Sequence, residues 1–174
     1  IGLPRMVLGR AVLACASLDD AIRTIETSAR AGAFHFALAQ RGDRRLVSVE
    51  FTHARCSTMI VENPLCHANH LVHPAMAGEA QIVTGSSAAR QRRSDAILRE
   101  SGAEPPDPLR ILWDEADADL PILRRQPDDP DGENTLATAS IRVGADAVSW
   151  EVHDSARGAP AYRLTDAARV LPGN

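Results

Sequence analysis

The chain has 174 residues, with 19 basic against 23 acidic side chains and a net charge of −4, a composition and length that fit one globular domain with a real core. No run approaches the roughly 20 apolar residues of a membrane-spanning helix, and the mild acidity speaks against a general nucleic-acid binder. All 19 basic residues are arginine, which removes Schiff-base, pyridoxal-phosphate and phosphate-loop lysine chemistry in one step.

Three cysteines, Cys15, Cys56 and Cys66, show no CxxC spacing. A disulfide framework is not expected, and a reducing, by default cytoplasmic, setting is the natural reading. The chain starts at Ile1 rather than Met, which reads as a piece of a longer protein. Any leader peptide would then lie upstream.

In chain order, Pro4 to Cys15 place Met6, Val7, Val12 and Leu13 at helical spacing, with Pro4 in the first turn. Ser17 predicts the cap of a second helix, reciprocated by Asp20, with Ala21, Ile22, Ile25 and Ala29 inward and Gly32 as the stop. The period then changes to two. Phe34, Phe36 and Leu38 alternate with His35 and Ala37, a Gly42-Asp43 turn follows, and Val47, Val49 and Phe51 share one face. With a short strand from Cys56, these predict an antiparallel meander covered on both sides. After Glu62-Asn63-Pro64, the segment Leu65 to Pro74 reads as a buried strand with Asn69 at its exit. Ser86 and Ser87 read as caps of a polar helix ended by Gly102, and Leu109 to Leu120 as a further helix. Asp128-Asp129-Pro130-Asp131-Gly132-Glu133 lacks the ligand spacing of an EF-hand and reads as a surface loop. A hairpin across Gly144-Ala145-Asp146 and a short tail with Tyr162 and Leu164 complete an α+β pattern over a single domain, 1–174.

The densest chemistry lies in Cys66-His67-Ala68-Asn69-His70-Leu71-Val72-His73. Cys66, His67, His70 and His73 are suitable zinc ligands, although their spacing matches no finger. Cys66 as a nucleophile would need a base from elsewhere, because neighbours on an extended chain point apart. It otherwise packs as a small apolar group, as do Cys15 and Cys56. Asn69 offers a neutral amide donor suited to a developing oxyanion, or else a turn residue bonding its own backbone.

The ordered set of GLPR, SLDDAI, AGAFHFALAQ…VSVEF, HANHLVHP and Ser-Ser-x-x-Arg-x-Arg-Arg resembles the carboxy-terminal part of the acyl-coenzyme A:6-aminopenicillanic acid acyltransferase family, among the N-terminal-nucleophile hydrolases. The family's middle segment commonly reads His-Thr-Asn-His-Phe; here it is His67-Ala68-Asn69-His70-Leu71, matching at three positions and departing at Ala68 and Leu71. The resemblance implies a four-layer αββα sandwich. It also implies a precursor that cuts itself before a cysteine, whose thiol attacks an acyl donor while the freed α-amine serves as base. By match, Asn69 holds the oxyanion, and the acyl group passes to an amine or to water. No cofactor is implied, but a coenzyme A thioester is a candidate acyl-donor substrate. The nucleophile of the family lies upstream of the GLPR-like segment, so none of the three cysteines here fills that place. This chain alone is expected to be inactive, and to need the upstream part of its precursor or be poorly soluble.

Substrate contacts are assigned to His70, His35 and Arg90. The arginines Arg90, Arg92, Arg93 and Arg99 suit phosphates or a carboxylate, but equally a solvated helix face paired with Asp95 and Glu100. Ser86 and Ser87 have no sequence-placed base to make them nucleophiles. His35 points away from Phe34 and Phe36, and Trp113 and Trp150 read as packed in the core or under the helix layer. The competing function classes are a noncatalytic binding module, or degenerate relative, and a zinc protein using Cys66, His67, His70 and His73.

Overall fold

The structure is a computed structural model that describes residues 2–102, 104–127 and 132–166 and the backbone of 168–170. The acidic stretch Asp128 to Asp131 lies outside the described residues. The chain divides into two compact units, 1–63 with 69–83, and 64–68 with 84–174. Both are α+β, each with one antiparallel sheet.

In the first unit, α1 (Arg5–Leu13) and α2 (Leu18–Thr27) precede the strands β1 (Phe34–Ala39), β2 (Leu46–Phe51) and β3 (Cys56–Ile60). Ser17 Oγ accepts the Asp20 N–H at 3.1 Å and donates to Asp20 Oδ2 at 2.7 Å, as the capping pattern predicts. The helix ends at Thr27 rather than running to Gly32. Its last carbonyls are collected by buried Arg30, whose Nη1 donates to the carbonyls of Ile25, Glu26 and Ser28 at 2.7, 3.0 and 3.1 Å. Gly2 is required beside that turn: a Cβ there would collide with the Arg30 carbonyl, where Leu3 pairs with Arg30.

The meander pairs β1 with β2 and β2 with β3, with Phe36 opposite Val49 and Val49 opposite Thr58. Gly42 turns the first hairpin at φ +80°, which suits a residue without a Cβ. Period-two alternation splits the sheet chemically. One face carries Leu38, Val47, Val49 and Phe51, buried against Leu8, Leu18, Ala21 and Ile25 of the helices. The other carries His35, Ser48, Glu50 and Ser57, by register.

The second unit contains α3 (Gly85–Glu100), α4 (Pro108–Leu112) and a sheet of β4 (Thr138–Val143), β5 (Val148–His153), β6 (Tyr162–Thr165) and β7 (Ala168–Val170) in sequential order. Among the described residues no helix is long and apolar enough to cross a membrane.

Several sequence expectations change. Met6 and Leu13 are 74% and 78% exposed, and α1 is seated by fully buried Leu8 instead. Thr84, not Ser86 or Ser87, caps α3; both serines lie buried within its first turn. The helix after Asp107 stops at Leu112, because the carboxylates of Asp114 and Asp117 bond the backbone N–H groups of Ala116, Asp119 and Leu120 and favour turns. Trp150 is 37% exposed rather than core. Leu65 to His73 contains no strand. Ile25 is fully buried in the first core; Ile25→Ala should cost about 2–5 kcal/mol of folding free energy, read as a lower urea midpoint.

Candidate active site around Asn69

Polar residues on a sheet face normally meet water, yet Ser48 and Glu50 are buried at 2% and 0% exposure. They are covered by the chain following Asn69. The two Glu50 carboxylate oxygens accept the backbone N–H groups of Val72 and His73 at 2.6 and 3.0 Å. Both oxygens of this buried carboxyl thus have a backbone donor, as a polar group removed from water requires.

His73 is buried and is gripped through its ring as well. Its Nε2 lies 2.8 Å from Ser48 Oγ on β2, and its Nδ1 lies 3.0 Å from Ser57 Oγ on β3. Ser48 Oγ is also 2.8 Å from His35 Nε2 on β1. One serine proton cannot serve both imidazoles, so at least one of the two histidines donates from Nε2. The relay His35–Ser48–His73–Ser57 ties three strands to one covering segment.

Further along that segment, Gln81 accepts the Leu71 N–H at 2.8 Å and donates to the Leu71 carbonyl at 3.1 Å. Glu79 accepts from Thr52 Oγ1 at 3.0 Å, while Arg55 donates to the Ala75 carbonyl at 3.0 Å. Residues 71–79 thus have a fixed path without a regular element beyond the short turn Pro74–Met76. At its head, Asn69 is exposed and His70 half-buried. Asn69 is therefore presented to solvent by an anchored loop, not at the end of a buried strand as the sequence pattern suggests.

In the second unit, Gln91 of α3 accepts the Ala68 N–H at 2.8 Å and donates to the Cys66 carbonyl at 2.9 Å. Burial pushes the Cys66 thiol up, with Asp95 adding to the rise and a hydrogen bond with Ser94 opposing it. Cys56, in the first unit, is likewise raised by burial. A raised thiol holds less thiolate at neutral pH, the reverse of an activated nucleophile.

Among the described residues no three or more His, Cys, Asp or Glu side chains converge as a metal set. Both ring nitrogens of His73 face serine hydroxyls, and His67 Nδ1 bonds the Ala68 carbonyl at 2.7 Å. Arg90 Nε donates to Ser86 Oγ at 3.3 Å. Arg93 forms a two-pronged bridge to Asp114 at 2.8 and 2.7 Å rather than pairing along its own helix. A separate cavity of about 290 Å3 in the second unit is lined by Arg124, Thr138 and His153 among others.

Glu50, Ser48 and Ser57 went unmarked in the sequence, where they are the ordinary polar half of alternating strands. A glutamate beside Phe51, in a strand predicted to be covered on both sides, is the signal that could have singled out Glu50.

A family model described as acyl-coenzyme A:6-aminopenicillanic acid acyl-transferase matches residues 1–157. The chain belongs to this acyltransferase family. Its activity accordingly falls, in broad terms, within acyl transfer or hydrolysis, and small molecules are the substrates that the acyltransferase family suggests. No curated protein and no solved structure matches the chain.

Because burial raises both thiols, Cys66 and Cys56 should be alkylated by iodoacetamide at pH 7 more slowly than free glutathione. Their labelling should climb with pH and level off at a higher pH than that of glutathione. Peptide mass spectrometry across a pH series reads this, and fast labelling of Cys66 at pH 7 would restore it as a nucleophile.

Proposed function

We propose that this chain is the later part of a cysteine-dependent acyltransferase or amidohydrolase acting on acyl-amide or thioester substrates, and that Asn69 supplies the oxyanion donor. The reacting cysteine is contributed by upstream sequence and freed by self-cleavage. Its own α-amine takes the thiol proton, since an α-amine titrates near pH 7.7–8.0. The thiolate attacks the acyl carbon, the carbonyl oxygen gathers negative charge, and a neutral carboxamide N–H stabilises it without bringing a charge of its own. The intermediate collapses by expelling the donor's amine or thiol, which takes the proton from the α-ammonium, and the acyl group on sulfur then passes to an amine acceptor or water, regenerating the thiol.

The observation that carries this reading is the solvent-exposed residue Asn69 at the head of a segment fixed by Glu50 and His73. A donor held in place before the reaction needs no rearrangement when charge develops. Within this reading His70 and His35 contact the substrate, and a coenzyme A thioester is a candidate acyl donor rather than a resident cofactor. In this reading the chain supplies the later portion of one four-layer N-terminal-nucleophile domain, completed by the upstream part of the precursor.

Expressed with its upstream part, the protein should transfer or hydrolyse acyl groups, and Asn69→Ala should lower turnover by about 10²–10³ with an unchanged circular dichroism spectrum. A noncatalytic binding module would instead show no turnover in any such preparation, with Asn69→Ala altering only ligand affinity.

A further inference from the structure

Resting on the oxyanion role of Asn69, we infer that Glu50 is a positioning residue that sets the place of the Asn69 amide by tethering the backbone three and four residues downstream. Glu50 is not a member of the proposed reacting set; its effect passes through the chain. The geometry is specific. Each carboxylate oxygen takes one N–H, from Val72 at 2.6 Å and from His73 at 3.0 Å. A group with two equivalent acceptors is needed to hold two adjacent donors.

The sheet makes this tether rigid. Glu50 sits mid-sheet, opposite His35 on β1 and Ser57 on β3, and is 0% exposed. The His73 ring bonds Ser48 and Ser57, one residue on each of two strands. Backbone and side chain of the same loop residue are therefore fastened to the same face of the sheet. Gln81 closes a second pair of bonds on Leu71, two residues past Asn69. The distance in chain from the fixed points to the amide is short, so loosening the tether translates directly into a wandering donor. Displacements of about 1 Å are enough to cost about 10²-fold in rate.

Glu50→Gln preserves size but replaces one acceptor oxygen by an NH2 group, which then faces a backbone N–H. In the protein with its upstream part, this change should speed hydrogen exchange at the Val72 and His73 amides by about tenfold or more. It should lower kcat by about 10- to 100-fold with KM altered less than about twofold. The decisive readout is the same substitution on an Asn69→Ala background. A tether that works through Asn69 has almost nothing further to remove there, so the kcat loss should nearly vanish.

An equal kcat loss on both backgrounds, or unchanged exchange at the two amides, overturns the tether while leaving the role of Asn69 intact. Undiminished turnover in Asn69→Ala overturns the oxyanion reading and this inference with it. Should Glu50→Gln fail to fold, Glu50→Asp, which withdraws the carboxyl by one methylene from the Val72 and His73 N–H groups, replaces it, and the same comparison of backgrounds decides.

Discussion

A carboxylate removed from water has to be met by hydrogen-bond donors, and Glu50 meets two backbone N–H groups that belong to a loop. That one requirement organises the polar side of the first unit. It gives a stretch with no regular secondary structure a defined path, and it explains why Ser48 and Glu50, on the polar face of the sheet, are covered rather than wet. Donors in a loop usually wander; here they inherit the stiffness of three paired strands. The presentation of Asn69 follows from that arrangement rather than from any property of the asparagine alone.

The arginine-only composition has a visible structural counterpart. Arg30 satisfies three carbonyls at the end of α2 through Nη1 and donates from Nε to the Thr52 carbonyl at 2.9 Å. An ammonium has three donors on one nitrogen and cannot reach carbonyls spread over two elements in this way, whereas the flat guanidinium fork can. Arg93 uses the same fork on Asp114, which holds that carboxyl below the usual carboxylate range. These bonds organise the ends of helices and turns, where regular hydrogen bonding stops.

Local signals in the sequence were enough for the meander, the Ser17 cap and the hairpin across Gly144, because alternation, capping chemistry and turn residues act over a few positions. They failed where distant groups decide. Leu65 to His73 has the composition of a strand, but its donors are claimed by Glu50 and Gln91, some twenty residues away on either side in sequence. The tail around Tyr162 and Leu164 lacks a strong pattern and becomes β6 only because β5 offers a partner, Trp150 opposite Leu164. Of the candidate site, Asn69 was legible through the family resemblance. Its support was not, since a buried serine or glutamate looks the same on paper as a solvated one.

Glu50 and Phe51 are neighbours in β2 and face opposite sides. Sliding that strand by one residue would drive a carboxylate into the hydrocarbon beneath α2 and swing a phenyl ring towards the imidazole of His73. Misaligned pairings are thus penalised twice, by a carboxyl group without donors and by an aromatic ring expelled from its seat. The same alternation that furnishes the chemistry also acts as a proofreading device during assembly, leaving the meander one alignment in which every side chain is at home.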